Sequence, residues 1–313
     1  MMNMNVLLRI SSLIMSDNIQ SCFIILDKYI NCYTKILMNH HKDPINHELE
    51  GYDKILLQTV LSKAMNLKNI LSGVSFQDDV FRIENFIDPV VLTTVARNLF
   101  ETVCTFETLN IVPQSQEQKE LIFTLFLISG YKNRQNFNYS ELEDDLKQQA
   151  VEEARMIENY TQNIHESNLY QSLSLDSQHR IDNAIKNYKY RFYFNENNEV
   201  VKLDWEEVLP HVGIQGSLLR KIYAQLSIHA HPSFISVMQF GQMFELESQQ
   251  YINSSTVCMR HCFFFLNIFL MDYMKLFPQI MNTYHTLPEE DMALFEMHYK
   301  MVTTVFSDED LTF

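Results

Sequence analysis

Only 6 glycines and 7 prolines punctuate this chain of 313 residues, and that scarcity decides most of what it can fold into. Glycine supplies the left-handed turns of loop-rich and doubly wound folds, and proline breaks helices. Between these few breakers lie long runs in which apolar residues recur at steps of three and four, in a sequence carrying 16 methionines. Such periodicity, with good helix formers throughout, marks amphipathic helices. The sequence therefore predicts an all-α fold, a multi-helix bundle with a small β-hairpin insertion near residues 188–205.

The first helix is expected from Met15 to about Asn39, capped by Ser16 or Asp17. Its apolar face carries Ile19, Cys22, Phe23, Leu26, Tyr29, Ile30, Tyr33 and Leu37. Asp43-Pro44 and Asp88-Pro89 each read as a cap followed by a first-turn proline. They open helices that run to Leu71, ended by Gly73, and to about Asn110. Further helices are expected over 116–132, from Ser140 through a long acidic stretch, and over 176–186, 217–230, 247–276 and 289–306. The run YKYRFYFNENNEVVKLDW breaks the helical pattern, its aromatic and β-branched residues flanking Asn195-Glu196-Asn197-Asn198, which gives the hairpin. Residues 1–14 form a lead-in, 15–306 a single helical domain, and 307–313 an acidic tail.

Net charge is −15, from 24 Lys and Arg against 39 Asp and Glu, so nucleic acid or an anionic membrane would need a local basic patch. Five scattered cysteines fit reduced thiols in a cytoplasmic protein. Cys258 and Cys262 share one helix face but lack a second ligand pair, so they read as core and no metal or other cofactor is expected. The apolar run Cys262–Met271 would span about half a bilayer and reads as a buried core helix, with no membrane partner. P-loop, dinucleotide-binding, zincin and nucleophile-elbow motifs are absent.

Three constellations could carry chemistry. Arg220, Tyr223, Ser227 and His231 fall within an arc of roughly 80° on one helix. They border an apolar face of Leu218, Leu219, Ile222, Leu226 and Ala230. His231 at the helix C-terminus has its charged form favoured by the helix dipole, which suits a general acid with Tyr223 or Ser227 beside it. Arg97 and Glu101 share a polar stripe with Thr93, Thr94, Thr105 and Thr108, where Arg97 can anchor an anion and Glu101 can orient Arg97 or His231. Arg180, Lys186, Lys189 and Arg191 alternate with Tyr188, Tyr190, Phe192, Tyr193 and Phe194, a pattern that can hold RNA phosphates and stack bases. Each has a structural reading too: a buried polar network, a solvated helix face, and a hairpin covering a helical core.

Arg97-x3-Glu101, a downstream Trp205, and Tyr223-x2-Leu226-Ser227-x3-His231-Pro232 together resemble an uncharacterised family of bacterial all-helical proteins. That family lies near the HEPN and abortive-infection group, and the resemblance covers roughly residues 85–240. It implies a helical bundle and metal-independent RNA cleavage in a defence or toxin system. His231 would move protons at a ribose 2′-hydroxyl or leaving oxygen, and an arginine would stabilise the phosphorane. The group's Arg, four to six residues, then His motif is absent: Arg220 precedes His229 by nine positions and His231 by eleven. Arg97, from a different helix, would have to supply the guanidinium. Two other functions fit the same residues: a non-catalytic helical protein that binds another protein or a second copy of itself, and a small-molecule sensor.

Overall fold

The computed structural model describes residues 4–136, 144–214, 216–230, 233–243 and 249–304. The chain clusters into two compact units, Met1–Phe106 with Leu209–Phe313, and Glu107–Val208. Both are built of helices, and each of the two sheets is a single antiparallel hairpin. The fold is an all-α bundle with small hairpin insertions.

The first unit begins with α1 (Met4–Met15), α2 (Ile19–His40) and α3 (Glu48–Leu71). Residues expected as a lead-in form α1, which buries Ile10 and Ile14 and pairs Arg9 with Glu290. Asn18, rather than Ser16 or Asp17, caps α2, its side chain accepting from the Gln20 amide at 2.8 Å. The buried face of α2 is Cys22, Ile25, Leu26, Tyr29, Cys32, Tyr33 and Ile36, rotated from the expected one by a fraction of a turn. Asp43-Pro44 does not start α3. Asp43 accepts from His40 at 2.9 Å, and the helix starts five residues later at Glu48.

A hairpin that the periodicity does not reveal follows, β1 (Val74–Gln77) against β2 (Arg82–Phe86). The Asp78 carboxylate accepts the amides of Val80 and Phe81 in its turn, which holds that carboxyl below the usual range. Then α4 (Pro89–Asn110) starts as expected, Asp88 accepting from the Val90 amide at 2.8 Å. After the second unit come α10 (Gly216–His229), α11 (Phe234–Met243), α12 (Gln249–Leu276), a 3-10 turn at Pro278–Ile280, α13 (Met281–Tyr284) and α14 (Glu289–Thr303).

The second unit holds α5 (Gln116–Gln135), α6 (Asp144–Glu166), α7 (Asn168–Ser172), α8 (Leu175–Lys186), β3 (Phe192–Phe194), β4 (Val200–Lys202) and most of α9 (Trp205–His211). The β3–β4 hairpin lies where the sequence predicts it, with Phe192 opposite Lys202 and Phe194 opposite Val200. Asn198 takes the left-handed conformation (φ 59°) that its turn demands. The acidic tail 307–313 and Ser140 lie outside the described residues.

Core packing in the first unit centres on α12. Met259, Cys262, Phe265, Leu266, Asn267, Ile268, Phe269 and Leu270 are all completely buried, which leaves this helix no solvated face over Phe265–Leu270. Among the described residues Ile252–Leu276 is the one stretch long and apolar enough to cross a membrane, and 67% of its most apolar 18-residue window is buried inside the protein. Tyr29 and His298 pack against its Phe263, with Tyr29 and Phe295 centroids 4.6 Å apart and the Tyr29 and His298 rings nearly parallel. All five cysteines are buried free thiols, and burial pushes Cys22 up to about 11 and Cys32 up to about 12. Cys22 and Cys32 are therefore protonated at neutral pH and poor nucleophiles.

A buried histidine, His298, and a half-buried one, His261, make the first unit acid-sensitive. Burial drives His298 down to about 3, and burial with the adjacent Arg260 charge drives His261 down to about 4. Each binds a proton less readily in the folded chain than at the ordinary value of 6.5. The stability they contribute is complete above pH 6.5 and is lost as pH falls toward 4 and 3. Each histidine is expected to add about 1.4 kcal/mol per pH unit to that loss. Urea denaturation at pH 7, 6 and 5, followed by circular dichroism, should show a shallower dependence for His298→Gln; an unchanged slope would remove His298 from the explanation.

Candidate functional site

Most of the Thr93–Thr108 stripe of α4 turns inward, although Thr94 stays exposed. Thr93 and Thr105 are buried and donate to the carbonyls of Pro89 and Glu101, at 2.8 and 2.9 Å. Thr108 and Glu107 are completely buried. Hydroxyls satisfied by their own helix can be carried on a packed face without stranding a donor. The stripe is thus a packed surface, and Arg97 and Glu101 stand on its half-buried margin.

On α10 the apolar positions Ile222 and Leu226 are buried at 2% and 1% exposure, which fixes the helix against the core. Tyr223 and Ser227 then fall at the edge of that face, half-buried, as the spacing predicts. The structure brings Tyr223 to Arg97. The Arg97 guanidinium donates to the Tyr223 hydroxyl at 3.3 Å and lies 5.5 Å from its ring centroid, although 126 residues separate the two. Arg97 Nε also donates to Glu101 at 2.9 Å, and Phe100 holds the other side of the tyrosine with ring centroids 5.2 Å apart. Desolvation works against the Arg97 charge. The Glu101 hydrogen bond and the nearby phenol outweigh it, and the guanidinium is held above its usual range.

Ser227 stands one turn beyond Tyr223 on α10. Its Oγ is buried and makes no hydrogen bond among the described residues, an arrangement that costs free energy unless something fills it. His231 lies outside the described residues, as does the side chain of Arg220. Of the five expected site residues, then, Arg97 contacts both Glu101 and Tyr223, and Ser227 shares the Tyr223 edge.

The basic, aromatic segment of the second unit is more self-contained than its sequence suggests. Arg180 donates to the Val200 carbonyl at 2.7 Å and pairs with Asp176 at 2.6 Å. Arg191 stacks 3.8 Å above the ring of Trp205, the chain's single tryptophan, a partner the patch reading had not included. Phe192 and Phe194 are buried, so they support the hairpin and offer no face to a base. Lys186 and Lys189 are exposed. Asp204 sits among these cations, its carboxyl held below the usual range first by the Lys202 hydrogen bond, then by the charges of Lys202, Arg191 and Lys189.

Two further features escaped the sequence. A cleft of about 310 Å³ in the second unit is lined by Glu117, Glu120, Thr124, Asn163 and Ser167, whose convergence from three elements leaves no periodic signal. The apolar residues Phe234, Ile235, Val237 and Met238 of α11 are largely exposed. Among the described residues no group of three or more His, Cys, Asp and Glu side chains converges as a metal site.

If the Ser227 hydroxyl is buried and unpaired, Ser227→Ala should leave stability unchanged or raise it by up to about 1 kcal/mol. Tyr223→Phe, which strips a hydroxyl bonded to Arg97, should cost about 0.5–1.5 kcal/mol. Urea unfolding of the two variants beside the parent protein checks both values, and a clear loss for Ser227→Ala would mean that its hydroxyl is engaged.

No known protein family, no curated protein and no solved structure matches this chain.

Proposed function

We propose that this chain binds RNA and cleaves it without a metal, as a bacterial defence or toxin protein acting in the cytoplasm. Arg97 clamps the scissile phosphate, and Glu101 and Tyr223 hold the guanidinium in place. His231 is the acid/base group, and Ser227 positions the substrate. The observation that carries the reading is the Arg97–Tyr223 contact, which joins the two segments that the HEPN resemblance singles out. The five free, buried thiols fit a reducing compartment.

The chemistry needs nothing beyond these groups. A ribose 2′-oxygen attacks the adjacent phosphorus as its proton departs to a base, the P–O5′ bond breaks, and the leaving 5′-oxygen receives a proton. The products are a 2′,3′-cyclic phosphate and a 5′-hydroxyl. A fixed guanidinium stabilises the charge that develops on the equatorial oxygens. An imidazole shuttles the proton. Exposed Lys186 and Lys189 supply a local attraction for the backbone in an otherwise acidic protein.

A second reading is favoured by a specific observation: Arg97 is already engaged by Glu101 and Tyr223, and Arg180 and Arg191 by groups within their own unit. In that reading the same residues form a structural polar network in a helical protein-interaction module, and the exposed apolar face of α11 is the working surface.

Purified protein incubated with total RNA in EDTA separates the two. Cleavage to cyclic phosphate ends by the wild type, lost at least 100-fold in His231→Ala and Arg97→Ala variants matched by circular dichroism, is the expected result. Absence of cleavage and of RNA retention by the wild type would discard the nuclease in favour of the interaction module.

A further inference from the structure

The buried His298 has bonding capacity that neither the fold nor the proposed nuclease uses. Its Nδ1 lies 2.7 Å from the hydroxyl of Tyr29, itself completely buried. Asn267 donates through Nδ2 to the Phe295 carbonyl at 2.9 Å. With His298 Nδ1 the acceptor within reach of the Tyr29 hydroxyl, Tyr29 gives its proton there. That bond leaves His298 neutral with its remaining proton on Nε2.

No described residue accepts that Nε2–H. The ring borders a small pocket of about 80 Å³, whose walls include Ile14 of α1, Phe263 and Phe264 of α12, and Met301 of α14. Arg260, also lining it, is turned toward the α1–α2 connection, donating to the carbonyls of Met15 and Ser16 and to Asp17 at 3.2, 3.1 and 2.7 Å. The Arg9–Glu290 pair adds a second tie between α1 and α14. The walls are therefore fixed by the fold.

We infer that this pocket is a binding site for a small neutral molecule with an apolar body and one accepting oxygen, such as a short ketone, ester or alcohol, which takes the His298 Nε2–H. Water suits the site poorly, because a buried water needs two to four polar partners and, apart from Arg260, which pairs with Asp17, His298 is the one polar side chain among phenyl rings, an isoleucine and methionines. A cation suits it no better, because Arg260 stands at the wall, and an anion would compete with Asp17 for that guanidinium. The volume admits a body of roughly four to six heavy atoms, for which millimolar affinity is the expected order of magnitude.

The test uses the full chain labelled with 15N-histidine and 2-butanone as the probe. Nitrogen shifts of His298 should report the Nε2–H tautomer. Titration should move its Nε2–H resonance saturably, with half-saturation at about millimolar probe. Met301→Trp, which fills the pocket from a half-buried wall, should abolish the shift while the Tyr29 bond and the circular dichroism stay as they were. If that variant fails to fold, Ile14→Trp fills the same space from the opposite wall. An Nδ1–H tautomer, a shift that rises linearly without saturating, or a saturable shift that survives a folded filled-pocket variant would overturn the assignment.

Discussion

A helical stretch with no solvated side must be enclosed, and over Phe265–Leu270 that is the condition α12 imposes on everything around it. Three helices meet the demand. α2 contributes Tyr29 and Tyr33, and α14 contributes Phe295. α4 contributes Phe100 and Phe106, whose rings lie 5.1 Å from Phe265 and 4.7 Å from Phe269. Each large side chain removed from water stabilises by about 1.5–3 kcal/mol, so a dozen of them set the scale against which any polar contact is judged. Surface pairs such as Arg97–Glu101 are worth a few tenths to 1 kcal/mol and cannot position a helix. They decorate an arrangement that the aromatic core has already fixed.

The candidate site inherits its geometry from that enclosure. Phe100 faces Phe265 in the core and Tyr223 at the margin, so one side chain links the α12 packing to the place where Arg97 finds a phenol. A guanidinium held by a carboxylate on its own helix and a hydroxyl on another has lost most of its rotamer freedom before any ligand arrives. That preorganisation serves a phosphate clamp, because an anion can share or displace the carboxylate without moving the arginine. It serves a structural network equally well, which is why the decisive measurement is chemical and not geometric.

How much of this was legible in the sequence depends on the range of the interaction involved. Asp88-Pro89 names a helix start because the cap acts within three residues. Asp43-Pro44 carries the same letters and fails, because its carboxylate is taken by His40, one turn back on α2, whose ring is in turn fixed by Thr283 from far along the chain. The β1–β2 hairpin escapes the periodicity because its strands are only four and five residues long and every residue of β1 is exposed, which gives no sustained alternation. The edge positions of Arg97, Tyr223 and Ser227 followed from periodicity alone, but their meeting did not, since no local rule relates residues 126 apart. His298 was invisible for the same reason, its partner Tyr29 lying 269 positions away.

Unfilled bonding capacity is informative only where a ligand can reach it. Asn267 Oδ1 and Ser255 Oγ are buried and without hydrogen-bond partners among the described residues, yet neither residue lines the cleft of the second unit or the pocket beside His298. They read as the cost of placing polar groups inside an apolar bundle, offset by the surrounding burial. His298 differs in standing at the wall of a cavity, and Ser227 differs in sitting one turn from a preorganised arginine–phenol pair. The two proposed sites differ in kind. One is charged and stands on a half-buried helix margin; the other is small and mostly apolar, with Arg260 at its wall. Occupancy of the second would act on α1 and α14, while the first depends on α4 and α10, so ligands at the two sites press on different helices of the same unit.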